Sequence, residues 1–264
     1  MKKEIEIEEL KKIQLDILTQ VAEFCDKNGL RYFLAYGTLI GAVRHKGYIP
    51  WDDDIDIVVS RADYQKLLTC FTSQDLEIVS PELNRDCPHP FAKIYNTKTQ
   101  LIELSDIKFD IGINIDVFPL DFFPDDQIES ERLVKRIRYL RKMLEAKVVV
   151  VVRKRSLIKN TILFIAKCAC IFLNYRTLIQ KIVMCSQTYN ETNLVGCLVW
   201  GYGIKERVSK EIFNDSVEVE FEREKFKAPI GYDQWLKHIY GDYMQLPPEE
   251  KRESHHAFKA YWKE

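Results

Sequence analysis

Four aspartates, Asp52, Asp53, Asp54 and Asp56, crowd five consecutive positions of this chain. In Asp54-Ile55-Asp56-Ile57 acid alternates with aliphatic residue at the two-residue period of a strand. Asp54 and Asp56 therefore point to one face, and Ile55 and Ile57 to the other. Carboxylates gathered beside an apolar strand repel one another, and the cost is relieved by a cation. Hard oxygen ligands of this kind suit Mg²⁺ or Mn²⁺. A third acid in a similar apolar setting, Asp116 in Ile115-Asp116-Val117, could close the site from a neighbouring strand. Asp54, Asp56 and Asp116 are thus the candidate metal ligands and catalytic acids. Asp52 and Asp53 could join them as ligands, bind Arg44 or cap the loop.

Just upstream, Gly37-Thr38 follows an apolar run and opens a helical one. A glycine there lets backbone approach a phosphate, and a hydroxyl with free helix N–H groups can hold it. Arg44, His45 and Lys46 add positive charge within a few residues, although His45 reads equally well as a surface-loop histidine. A glycine–hydroxyl turn, paired acids on a strand and one more acid on a later strand are what metal-assisted phosphoryl transfer requires. Gly37, Thr38, Arg44, His45 and Lys46 are the candidate phosphate-binding residues.

The elements that must position these groups are mixed. Apolar residues Leu10, Ile13, Ile17, Val21 and Phe24 recur at helical spacing over 8–28, with Gly29 as the stop. Strands are expected over 31–36, 55–59, 91–96, 100–104 and 113–118. A short helix is expected over 37–43, and longer ones over 61–71, 129–147, 157–173 and 177–187. Ser60, with Asp63 three residues on, reads as the N-cap of the 61–71 helix. The fold class is α/β (α+β), with one soft boundary near Pro124 where strands give way to helices. A catalytic core over 1–124 is then followed by a helical and C-terminal part over 125–264.

The 264 residues carry 39 basic and 40 acidic side chains, a net charge of −1, which disfavours nucleic acid as a partner. That balance hides a local excess of +12 over 131–182, where two apolar patches lie at 148–152 and 162–173. Basic residues interleaved with aliphatic ones read either as a membrane-surface face or as core helices with solvated basic edges. The apolar run at 161–173 is 13 residues, shorter than the ~20 needed to span a bilayer. The opening MKKEIEIEEL has no apolar signal region, and the seven cysteines are irregularly spaced, so a cytoplasmic setting with reduced thiols is expected.

Three blocks resemble the LicD family, phosphorylcholine transferases of bacterial surface glycans whose animal relatives are the fukutin-type ribitol-phosphate transferases. They are YGTLIGAVRHKGYIPWDDDIDI over 36–57, IDVFPLD over 115–121, and GYDQWLKHIYGDYMQLPP over 231–248 with Lys251, Arg252 and His255 after it. The resemblance implies a nucleotidyltransferase-like fold, a mixed central sheet flanked by helices. It also implies a divalent cation, a CDP-choline donor and a glycan or lipid-linked glycan acceptor such as teichoic acid or lipo-oligosaccharide. Carried over by position, Asp54, Asp56 and Asp116 match the metal acids, with Asp116 as proton acceptor, and Gly37 and Thr38 match the glycine–hydroxyl turn. Arg44 or Lys46 would offset the charge on departing CMP. Trp51, Trp200, Tyr202, Tyr232 and Trp235 are candidates to hold a quaternary ammonium by cation–π contact, against a packing role for each. A peripheral position on the inner face of the cell membrane would suit a lipid-linked acceptor. Other readings are a CDP-ribitol or CDP-glycerol transferase, a nucleotidyltransferase, or a non-enzymatic glycan-binding module.

Overall fold

The computed structural model describes residues 3–103, 105–149, 157–252 and 258–263. In chain order its elements are β1 (Glu4–Ile5), α1 (Ile7–Lys27), β2 (Tyr32–Leu34), α2 (Tyr36–His45), β3 (Asp56–Ser60), α3 (Arg61–Cys70), β4 (Leu76–Val79), β5 (Ala92–Asn96), β6 (Thr99–Glu103) and β7 (Asn114–Phe123). There follow α4 (Gln127–Val148), α5 (Leu157–Ala169), α6 (Tyr175–Ser186), β8 (Leu194–Gly196), β9 (Val208–Ser209), β10 (Ser216–Phe221), β11 (Glu224–Pro229), α7 (Tyr232–Tyr240) and β12 (Phe258–Trp262).

The central sheet runs β2-β3-β7-β5-β4, with β8 added to the far part of β7 and β9 to β8. Only β3 and β7 pair in parallel among these described strands. A parallel pair needs a long crossover, and here α3, β4, β5 and β6 supply it. β3 and β7 are mostly apolar apart from their acids, as strands buried on both faces must be. α1 buries Leu10, Ile13, Ile17 and Val21 and packs against β5 and β7. Its Gln14, also buried, donates to the backbone oxygens of Asp53 (3.0 Å) and Asn114 (3.3 Å), tying the acid loop to β7.

The expected elements form with shifted ends. Tyr36, expected at the end of a strand, starts α2 instead, in the left-handed region at φ 48°. Ser60 caps α3 by accepting from the Asp63 N–H at 3.1 Å. β7 runs five residues past the expected end, to Phe123. Leu104, Val150–Val152 and His255 lie outside the described residues. β12 returns to pair with β6 and with β1, and β10 and β11 form a hairpin. The seven cysteines are free thiols.

Buried polar pairs fix the frame. The Arg61 guanidinium, at the start of α3, grips Asp121 of β7 with two bonds of 2.7 Å. The aspartate that ends the second resembling block thus locks helix to strand. The basic segment divides in two. α4 and α6 pack together and bury Leu133, Ile137, Leu140 and Leu144 against Leu178, Ile179 and Ile182, so they are core helices. α5 and the turn after it instead expose Ile158, Ile162, Phe164, Ile165, Ile171 and Phe172, the last 98% exposed.

The segment after β8 wraps around the buried Glu206, whose Oε1 accepts the Tyr202 N–H at 2.8 Å. Gly201 permits the wrap, since a Cβ there would stand 2.3 Å from Glu206 Oε1. Burial pushes the Glu206 carboxyl up to about 7, against the pull of that bond. The folded state then holds a proton that the unfolded chain releases near its ordinary value of 4.5. Stability from this group is full below the unfolded value and is lost as pH rises through the folded one. Urea unfolding should therefore find Glu206→Gln gaining on the wild type by about 3 kcal/mol between pH 4 and pH 8. A constant difference would rule this out.

Candidate active site

Sheet register places the acids. In the parallel pair Asp56 of β3 stands beside Asp116 of β7. In the antiparallel pair Lys93 of β5 stands beside the same Asp116. Acid, acid and lysine form one row across three adjacent strands. Lys93 Nζ donates to Asp116 Oδ1 at 2.5 Å and to Asn114 Oδ1 at 3.1 Å. The lead-in to β3 keeps the expected alternation, with Ile55 and Ile57 buried and Asp54 and Asp56 half-buried. Asp52, Asp53 and Asp54 fold back on one another until a carboxylate oxygen from each lies within 4.8 Å of the others. Among the described residues this is the group of three acids that meets that spacing. Asp53 and Asp54 also line a small cavity of about 50 Å³ with Lys93, Asn114 and Asp116.

The geometry widens the acid set beyond the Asp54, Asp56 and Asp116 expected. Asp52 and Asp53, for which the sequence leaves open a ligand role, a bond to Arg44 or a loop cap, join Asp54 in one cluster. Burial, and then the charges of Asp54, Asp116 and Asp52, push the Asp56 carboxyl well above the ordinary carboxylate range, while Lys93 pulls the other way. An oxygen-seeking divalent cation relieves such crowding, so the donor set fits Mg²⁺ or Mn²⁺.

Gly37 and Thr38 serve the acids. A Cβ on Gly37 would stand 2.4 Å from Asp52 Oδ2, so the glycine gives the carboxylate its place. Thr38 is 3% exposed, and its Oγ1 accepts the Asp56 N–H at 2.8 Å. The glycine–hydroxyl turn thus seats Asp52 and Asp56, where the sequence suggested a phosphate cradle. The basic trio is spread out. Arg44 donates to the backbone oxygens of Tyr243 (2.6 Å) and Gln245 (3.3 Å) and, through Nε, to His45 Nε2 at 2.9 Å. It clasps the C-terminal segment against α2. Burial and Arg44 push the His45 pKa down, so the ring is a neutral acceptor. Lys46 is exposed and ends α2 in the left-handed conformation, φ 61°.

Comparison with known proteins now decides the relationship. Residues 29–145 match the LicD/FKTN/FKRP nucleotidyltransferase domain. The chain is 30% identical over 266 residues to the lipopolysaccharide cholinephosphotransferase LicD of Haemophilus influenzae, covering 98% of this chain and 99% of that protein. The chain belongs to the LicD family. An uncharacterized protein of Rickettsia typhi is 31% identical over 130 residues, 48% of this chain and 40% of that one. An uncharacterized protein of Rickettsia prowazekii is 45% identical over 47 residues, 18% of each chain.

In this LicD-family chain the aromatic candidates have different fates. Trp235 is fully buried between Tyr36 and Phe213 and is core. Trp200 packs edge-on to Phe91, lies under the Arg141 guanidinium, and lines a cavity of about 980 Å³ with His89, Phe109 and Leu144. Tyr232 is half-buried on α7. Tyr202 is half-exposed, and its hydroxyl is bonded to that of Tyr240 at 2.9 Å. Burial pushes the Tyr202 pKa up, helped by the charges of Asp56, Glu206 and Asp52 and opposed by the bond from Tyr240. Trp51 lies beneath Arg252 and edge-on to His45. With Arg44, Tyr240, Tyr243 and Arg252 it lines a cavity of about 560 Å³.

Lys93 and Gln14 are the residues that reading the sequence missed. Lys93 had a signal, being a lone cation in the apolar run FAKIYN, whereas a glutamine on a helix has none. Gly37→Ala should leave Tm within about 4 °C of the wild type. It should cost about tenfold or more in turnover, because the added methyl displaces Asp52. Native turnover in that variant would show that the position of Asp52 does not matter.

Proposed function

We propose that this protein transfers phosphorylcholine from CDP-choline to a sugar hydroxyl of a bacterial cell-surface glycan precursor, a lipopolysaccharide or teichoic acid, and releases CMP. The observation that carries this reading is the end-to-end match to a cholinephosphotransferase. The acceptor hydroxyl attacks the phosphorus that bears choline, the new O–P bond forms, and the P–O bond to CMP breaks. Asp116 takes the hydroxyl proton. Asp52, Asp53, Asp54 and Asp56, with Asp116, are the residues that would hold Mg²⁺. When bound, the ion neutralises phosphate charge and polarises the reacting oxygens. The cavity of Trp51, Arg44, Arg252 and Tyr243 suits the CMP portion, with ring surface for the base and the positive charge of two arginines near its phosphate. The tyrosine pair Tyr202–Tyr240 suits the quaternary ammonium, whose charge is attracted by ring faces.

The test is CMP release from CDP-choline with Mg²⁺, set against CDP-ribitol and CDP-glycerol. We expect release selective for CDP-choline and abolished in Asp56→Ala. Selective release from another CDP-alcohol would replace choline as the group moved. Binding of glycan without turnover of any donor would make the chain a binding module.

The exposed apolar residues of α5, set in a segment with a +12 excess, support peripheral association with an anionic membrane surface, where the acceptor's lipid would lie. No helix among the described residues is long and apolar enough to cross a membrane. Attraction is worth about 1 kcal/mol per basic residue near the surface. The protein should sediment with anionic vesicles at low salt and be released by high salt. Phe172→Glu should weaken that binding about tenfold. Equal partition onto neutral vesicles, or indifference to Phe172→Glu, would return α5 to a role in protein contacts.

A further inference from the structure

Lys93 needs an explanation beyond packing. It is the second residue of β5 and 7% exposed, where an ammonium is costly unless it is paired. Its partners are the Asp116 carboxylate at 2.5 Å and the Asn114 amide oxygen at 3.1 Å. Asn114 is itself held, donating from Nδ2 to the Gly112 oxygen at 2.9 Å. The Phe91 ring centroid lies 5.5 Å from the ammonium and limits its movement on that side. A long, flexible cation is thus fixed in place, in register with the acid it holds. Its charge also acts on Asp56, one strand further along the row, as the attractive influence among several repulsive ones.

We propose that Lys93 is a positioning residue of the acid site. Its ammonium fixes the Asp116 carboxylate, and it is the resident positive charge with which an incoming divalent cation shares the acids. This rests on reading the acids as a divalent-cation site. Two consequences oppose each other. Removing the charge should strengthen cation binding, because like charge nearby disfavours a cation. Releasing Asp116 should slow transfer, because a displaced catalytic group loses its alignment.

The experiment titrates Mn²⁺ by calorimetry into donor-free wild type, Lys93→Met, Lys93→Gln and Lys93→Arg, with circular dichroism to confirm folding. The glutamine variant keeps an N–H donor, on a shorter side chain, and guards against loss of fold in the methionine one. We expect both neutral variants to bind Mn²⁺ about tenfold tighter and the arginine variant to stay within about twofold of wild type. At saturating Mn²⁺ and donor, kcat should fall about tenfold or more in Lys93→Met while the donor KM stays within about threefold. Unchanged Mn²⁺ affinity in a folded neutral variant would overturn the proposal, as would an unchanged kcat. Absence of Mn²⁺ binding by the wild type would overturn it together with the metal reading. Failure of the CDP-choline reading is distinct: the wild type would bind Mn²⁺, the neutral variants would bind it more tightly, and no CMP would appear.

Discussion

Like charge held together by β-sheet register is the constraint on which this structure turns. The parallel pairing of β3 with β7 places Asp56 beside Asp116, and the preceding loop folds Asp52, Asp53 and Asp54 into a cluster next to them. Left alone, such carboxylates would separate or take up protons. The surrounding residues hold them through their backbone and their neighbours. Gln14 ties the backbone of Asp53 to that of Asn114, Thr38 accepts the Asp56 N–H, Gly37 leaves room for the Asp52 carboxylate, and Lys93 pairs with Asp116. These come from α1, α2 and β5, so much of the first half of the chain is committed to a few carboxyl groups.

The second half supplies walls. Arg44 would be the obvious phosphate ligand in a linear reading, yet its guanidinium is spent on the backbone oxygens of Tyr243 and Gln245. Arg252 stacks on Trp51, and the clasped segment closes a cavity that Tyr240 and Tyr243 line with them. Burying Glu206 does comparable work for the loop that carries Tyr202. The carboxylate accepts a backbone N–H where the chain turns sharply, and the cost of its desolvation appears as a raised pKa. Polar groups sunk in this part of the chain shape loops that could not be held by apolar contact alone.

What the sequence revealed follows from where the information is local. The Asp-Ile-Asp-Ile alternation, the Ser60 cap and the apolar stripe of α1 depend on residues a few positions apart, and all three are present. Recognition of the LicD blocks also rested on contiguous residues. The row of Asp56, Asp116 and Lys93 depends on strand register between segments far apart in sequence, which no local pattern encodes. Thr38 and Arg44 illustrate the same limit, since a hydroxyl or guanidinium in a motif does not say whether it faces a ligand or the backbone. The β10–β11 hairpin escaped notice for a different reason. Its turn residues, Glu222 and Arg223, both take positive φ (52° and 71°), without the Asn-Gly or Asp-Gly pair that normally marks such a turn.

The basic segment shows how one composition can serve two purposes. Over 131–182 the sequence interleaves aliphatic residues with basic ones, and periodicity does not separate core from surface. Packing does. α4 and α6 turn their aliphatic stripes toward each other, and most of their basic residues face solvent, with Arg141 turned in onto Trp200. α5 touches α4 but leaves its large apolar side chains in water, with Phe172 projecting from the turn beyond. Exposed aliphatic surface of that extent costs free energy that a soluble partner or a lipid surface recovers. Under the membrane reading proposed above, the +12 excess of 131–182 is what would select an anionic surface over a neutral one. Such a surface would repel the aspartates while it attracts this segment, through the same electrostatics that make the acid cluster costly to assemble.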